Sequence, residues 1–175
     1  MAQPLDPLLG LLLFLVPVYF ANSSPVVLGG GAPLDLGRNL MDGKRIFGEG
    51  KTIRGFAGGV LCGTLAGGLV ALAYQSPFFP GQQAQFAAAF VLSFGALAGD
   101  AMGSFIKRRM GVDSGKPFLL DTVMFLIVAL ILVYPLAMPA LYGLANLAFF
   151  FVLTIILHPL TNILANKAGL KKVPW

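Results

Sequence analysis

The sequence predicts an all-α integral membrane protein with five transmembrane helices, its N-terminus outside and its C-terminus in the cytoplasm. Three observations predict it. All 12 Lys and Arg side chains fall within residues 38–54, 107–116 and 167–172. Two stretches of 45 residues, 55–99 and 122–166, carry no charged side chain, and each fits two spans of about 20 residues plus a turn. The chain is 57% hydrophobic, with a mean hydropathy of +0.84. An earlier charge-poor stretch, 7–34, has room for one span, and the sum is five. Because Lys and Arg concentrate on the cytoplasmic side, the three basic clusters face it together, and an odd number of spans separates the termini.

The first helix is expected over about 7–20, with Pro17 as a kink near its cytoplasmic end. No Lys or Arg precedes it and Asp6 is the sole early charge, so it reads as a retained span rather than a signal peptide. Asn22, Ser23, Ser24, Pro25 and the glycine run 29–31 then open a loop. The second helix runs over about 53–74, and 75–85, with Pro77 and Pro80, forms an uncharged outer turn. The third covers about 86–107, the fourth 117–135 and the fifth 139–166. Residues 1–175 make a single domain, with cytoplasmic loops at about 22–52 and 108–117. Tyr74, Phe78, Phe79 and Trp175 suit anchoring at the membrane interface.

Gly55, Gly59, Gly63 and Gly67 recur every four residues on the second helix, and Gly95, Gly99 and Gly103 do so on the third. In a bilayer such seams let backbones approach closely, so tight packing is the first reading. A ligand cavity beside Asp100 is the second.

Several classes are excluded. Basic clusters that alternate with apolar spans and lack interleaved aromatic residues do not suit nucleic acid; phosphate at a membrane surface is the better partner. Cys62 is the only cysteine, which rules out an internal disulfide and a thiolate metal site. His158 is the only histidine, and neither charged loop provides a Ser, His and Asp set.

The chemistry is concentrated in Gly99 to Asp121, GDAMGSFIKRRMGVDSGKPFLLD. Asp100, Ser104, Lys107 and Arg108 share one helix face by spacing. A carboxylate near the membrane boundary needs a partner, a metal or water, and an ion pair with Lys107 or Arg108 of the same helix is the structural alternative. Asp121 opens the next helix and can return to the level of Asp100. Two carboxylates on adjacent helices make a hard oxygen site of the kind magnesium prefers, shared with waters and substrate phosphates. With Lys107, Arg108, Arg109 and Lys116 nearby, a nucleoside triphosphate or a lipid phosphate satisfies both signs of charge.

The segment DGKRIFGEGKTIRGF, Asp42 to Phe56, packs four basic residues, two acidic residues and four glycines into fifteen positions. Its glycines allow backbone N–H groups to curl around an anion, and Lys51, Thr52 and Arg54 lie where the second helix begins, at a terminus suited to phosphate. It is not a Walker A loop, because position 45 is Arg where that motif requires Gly.

These two motifs closely resemble those of the archaeal CDP-archaeol synthases, membrane cytidylyltransferases of ether-lipid synthesis, and the resemblance covers nearly the whole chain. A more distant likeness to bacterial phosphatidate cytidylyltransferases rests on Ser104, Lys107, Arg108 and a later Asp. Their His-Gly-Gly element before that Asp is absent, with Phe118, Leu119 and Leu120 in its place, which favours the archaeal branch. The resemblance implies that CTP and an isoprenoid glycerol phosphate lipid, 2,3-bis-geranylgeranyl-glycerol 1-phosphate, give a CDP-activated lipid and pyrophosphate. Asp100 and Asp121 would hold magnesium. Lys44, Arg45, Lys51 and Arg54 would clamp phosphates, and Lys107 and Arg108 would hold the nucleotide or the lipid headgroup. Asn22, Asn39 or backbone groups would select cytosine, and Asp42, Gly48, Thr52, Ser104 and Lys116 complete the expected substrate-binding set. The polar stripe His158, Asn162 and Asn166 has two readings: hydrogen bonding to neighbouring helices around Pro159 is the first, and contact with nucleotide at the site is the second. A small transporter of phosphorylated solutes is the alternative function, although no inverted repeat supports it. A CDP-alcohol phosphotransferase would need further aspartates spaced by four, and position 104 is Ser.

Overall fold

The computed structural model describes residues 7–112, 116 and 118–171. Trp175 therefore lies outside the described residues. Six α-helices form: α1 (Pro7–Ser23), α2 (Pro25–Leu28), α3 (Ile53–Ala73), α4 (Gln82–Arg109), α5 (Leu119–Val133) and α6 (Leu144–Lys167). Short 3-10 turns, Tyr134–Leu136 and Pro139–Tyr142, join α5 to α6. Five segments are long and apolar enough to cross a membrane, α1 and α2 counting as one. Among the described residues no strand forms, and the only extended pairings are the isolated bridges Pro33–Thr52 and Asn39–Arg45.

Helix α4 is central and packs on α1, α3 and α5. The glycine seams explain how. A Cβ on Gly63 would lie 2.5 Å from the Pro17 carbonyl oxygen and 2.5 Å from Ser93 Oγ, and one on Gly67 would lie 2.7 Å from Ala89 Cβ. On α4, a Cβ on Gly95 would meet Ala129 Cα at 2.7 Å, and one on Gly99 would run into the Met124 carbonyl. Both seams are packing surfaces, as small residues allow in lipid. The first brings α3 against α1 and α4, and the second brings α4 against α5.

The apolar core joins Phe14, Val18, Leu92, Phe125, Leu126 and Phe150. Phe78 and Phe79 belong to it, at 7% and 6% exposure, so they are not interfacial anchors: their turn folds inward, and Phe14 stacks on Phe79 at 6.0 Å. Helix α6 fully buries only Phe150 and Thr154, and Leu147, Phe149, Phe151 and Leu153 pack partly against the core.

Candidate active site

One cavity of about 710 Å³ gathers the ends of α4, α5 and α6 with the loop that leads into α3. Of the expected site residues, Asn22, Lys51, Asp100, Ser104, Lys107, Arg108, Lys116 and Asp121 line it, with the backbone of Gly50. Asp100 comes from α4, one residue past the seam glycine Gly99, and Asp121 from the first turn of α5.

Each carboxylate holds a lysine. Lys51 Nζ donates to Asp100 Oδ2 at 2.5 Å, and Lys107 Nζ donates to Asp121 Oδ2 at 2.5 Å and to the Lys116 carbonyl. Asp100 thus pairs across the cavity with the loop before α3, and not with Lys107 or Arg108 of its own helix. The reason is geometric: Lys107 is drawn to Asp121 on the neighbouring helix. Ammonium groups lie against both carboxylates, whose donor atoms are hard oxygens. The two carboxylates therefore fit a divalent cation in chemistry, although no group of three or more His, Cys, Asp or Glu side chains assembles among the described residues.

The loop itself is shaped by Asp35, a residue outside the expected set. Its side chain is fully buried. It accepts from Arg45 Nε at 3.2 Å and Nη2 at 2.6 Å, and from the backbone N–H groups of Gly37, Phe47 and Gly48. Burial alone would raise its pKa, but the Arg45 guanidinium and these three amides outweigh it and hold the carboxyl well below the usual carboxylate range. Arg109 staples the same loop to the end of α4, donating to Asp42 Oδ1 at 2.7 Å and to the carbonyls of Lys44 and Arg45.

Asn39, Asp42, Lys44, Arg45, Gly48, Thr52 and Arg54 consequently do not line the cavity. Arg45 and Asp42 hold the loop's own structure, and Lys44 Nζ donates to the Arg109 carbonyl at 3.5 Å. Gly48, at a φ of 98°, sits beside the Arg108 guanidinium. Thr52 caps α3 by accepting from Gly55 N at 3.1 Å, and Ile53 N donates to the Ala32 carbonyl. These bonds occupy two of the N–H groups at the helix terminus that the sequence pointed to as a phosphate cradle.

Residues that sequence reasoning missed or read as structural also reach the cavity: Phe47, Thr122, His158, Asn162 and Lys171. His158 stacks on Phe125 at 5.4 Å. Asn162 accepts from Lys171 Nζ at 2.9 Å. Asn166 does not line the cavity and donates to the Lys171 carbonyl, a bond local to the end of α6 where one between helices was expected. Burial lowers the pKa of Lys171, and the positive charge of Lys51 lowers it further, against the opposing pull of Asp100 and Asp121. The signal for this wall was the spacing of His158 and Asn162 ahead of the C-terminal basic cluster.

Comparison of the whole chain with known proteins gives its family. The profile of the CarS-like family of CDP-archaeol synthases matches residues 5–175. A CDP-archaeol synthase of Pyrococcus furiosus is 44% identical over 173 residues, covering 98% of this chain and 100% of that protein. The chain belongs to the CDP-archaeol synthase family. Another CDP-archaeol synthase, from Thermococcus gammatolerans, is 48% identical over 164 residues, covering 93% of each chain. A solved structure described as an intramembrane enzyme for archaeal membrane lipid biosynthesis superposes with a TM-score of 0.74 at 36% identity, covering 87% of this chain and 92% of that one. Membership in the CDP-archaeol synthase family makes the chain an enzyme, a CTP-dependent nucleotidyltransferase of lipid synthesis set in the membrane. These likenesses lend the transporter alternative no support.

Proposed function

We propose that residues 1–175 act as one catalytic domain that transfers the cytidylyl group of CTP to 2,3-bis-geranylgeranyl-glycerol 1-phosphate. The products are CDP-archaeol in its unsaturated form and pyrophosphate, and the reaction depends on magnesium. The observation that carries this reading is the cavity itself. At about 710 Å³ it has the size of a small-molecule site, and it combines two carboxylates on adjacent helices with Lys51, Lys107, Arg108, Lys116 and Lys171.

The lipid phosphate oxygen attacks the α-phosphorus of CTP in line, a new P–O bond forms, and the bond to the β-phosphate oxygen breaks to release pyrophosphate. A phosphate monoester is already nucleophilic near neutral pH, so no strong base is required. Asp100 and Asp121 would hold magnesium, which when bound supplies charge neutralisation on the triphosphate. Lys51 and Lys107 shift from the carboxylates to substrate phosphates as that charge arrives. Arg108, fixed by its bond to the Val112 carbonyl at 2.8 Å, presents its guanidinium beside Gly48 as a positioned cation for the triphosphate. Catalysis follows from positioning and electrostatic stabilisation. Asn22 is the cavity-lining candidate for contact with cytosine.

The enzyme resides in the cell membrane with the cavity facing the cytoplasm, where the basic clusters lie. Pyrophosphate release by purified protein tests the reading, with magnesium, CTP and the geranylgeranyl lipid phosphate, against ATP and GTP. Release that needs CTP and lipid together supports it. Release without lipid, or equal release from ATP, contradicts it.

A further inference from the structure

Along one face of α6 the lining passes from apolar to polar. Leu147, Phe151, His158 and Asn162 follow at intervals of four, seven and four residues, which stacks them on one side of the helix. Leu147 and Phe151 line a second, apolar groove of about 430 Å³ with Ile127, Leu130, Ile131, Tyr134 and Tyr142. His158 and Asn162 line the charged cavity. Helix α5 gives Asp121 and Thr122 to the charged cavity, packs Phe125 against His158, and gives Ile127, Leu130 and Ile131 to the apolar groove, which Tyr134 extends from the following turn. Tyr134 and Tyr142, in edge contact at 5.0 Å between centroids, close the far end.

We infer that this seam between α5 and α6 binds the lipid substrate, with its phosphate at Lys171, His158 and Asn162 and an isoprenoid chain in the apolar groove. The inference rests on the function proposed above and deepens it by dividing the site between the two substrates. His158 and Leu147 are eleven residues apart, about 16 Å along a helix, and half of a hydrocarbon core of about 30 Å is one leaflet. A chain attached to a phosphate at His158 therefore reaches the groove within its own length. Charge agrees with the division. Lys51 and Lys107 face the two carboxylates and Arg108 lies beside Gly48, which puts the triphosphate on the loop side. Lys171 adds a half-buried ammonium on the α6 side. Access agrees as well, since α6 fully buries only Phe150 and Thr154, so a lipid moving laterally meets the seam without leaving the bilayer.

Steady-state kinetics on the purified full-length enzyme in mixed micelles test this, varying CTP and lipid phosphate separately. Lys171→Gln and His158→Ala are each expected to raise KM for the lipid phosphate about tenfold while KM for CTP stays within about twofold. Ile131→Trp, at a position 64% exposed and so tolerant of bulk, is expected to cut the preference for geranylgeranyl over short-chain lipid phosphates about tenfold. The inference is overturned if the first two variants raise KM for CTP instead, or if neither KM moves. It is equally overturned if chain preference is absent in the wild type or unaffected by Ile131→Trp, or if that variant splits an oligomer, which would assign the groove to a second copy. A wild-type protein that makes no product from CTP with any lipid phosphate would contradict the proposed function itself, a separate outcome.

Discussion

Lys51 Nζ lies 2.5 Å from Asp100 Oδ2, although 49 positions separate the two residues in the chain. That contact ties the glycine-rich loop to the C-terminal half of α4, and under the function proposed above it puts an exchangeable ammonium beside a catalytic carboxylate. Lys51→Ala should therefore weaken the apparent affinity for CTP about tenfold with a smaller effect on kcat, because it removes a phosphate contact and leaves both carboxylates in place. Initial rates over a CTP series check this, and an unchanged KM for CTP removes Lys51 from the nucleotide side.

Asp100→Asn and Asp121→Asn should each lower magnesium-dependent turnover by at least about a hundredfold, in line with the loss of a positioned electrostatic group. Each leaves its lysine without a carboxylate partner, so thermal unfolding must be recorded in parallel. Turnover like that of the wild type in either variant would remove the metal assignment.

Asp35 predicts an acid-sensitive loop. Its folded-state pKa is depressed, so the stability that its carboxylate contributes is fully present above the unfolded value of about 3.9 and is lost as pH falls below it. Asp35→Asn should lower the unfolding midpoint near neutral pH, by an amount corresponding to about 1–3 kcal/mol for a buried charged hydrogen-bond network. The difference from the wild type should hold constant from about pH 6 to 8 and shrink below about pH 4. A difference that grows in acid would contradict the assignment.

The seam of α3 predicts a contrast between neighbouring glycines. Gly63→Ala should destabilise the fold by about 1–3 kcal/mol through overpacking against Pro17 and Ser93. Gly68→Ala, whose nearest neighbour would be a Phe86 ring atom at 3.7 Å, should be neutral or slightly stabilising. Thermal unfolding in detergent measures both.

The spans were legible because hydrophobic length and charge exclusion are local properties of the chain: the expected bounds 53–74 and 139–166 lie close to α3 and to the segment that ends in α6. Helix α4 begins four residues ahead of the expected 86, since Ala84 and the glutamines Gln82, Gln83 and Gln85 extend it. Asp100 and Asp121 were legible because a carboxylate beside an apolar span has few reasons to exist. The loop was not. Its charges looked interchangeable in sequence, and only the buried Asp35 decides that Arg45 is structural while Lys51 reaches the cavity. The Asp35-Leu36-Gly37 turn was a weak sign, with Gly37 N bonded to Asp35 Oδ1. His158 and Asn162 were visible as a stripe, but which neighbour faces the stripe is a tertiary fact.

Under the proposed function this cavity opens CTP at its α-phosphorus and passes the nucleotide to a lipid phosphate. CTP labelled at the α-phosphorus or at the γ-phosphorus, incubated with magnesium, lipid phosphate and either wild-type protein or Asp100→Asn, tests it most directly. Cytidylyl transfer puts α-label in the organic-extractable lipid and γ-label in pyrophosphate, and both are lost in the variant. Appearance of γ-label in the lipid would mean phosphoryl transfer in place of cytidylyl transfer, and would contradict the proposed function.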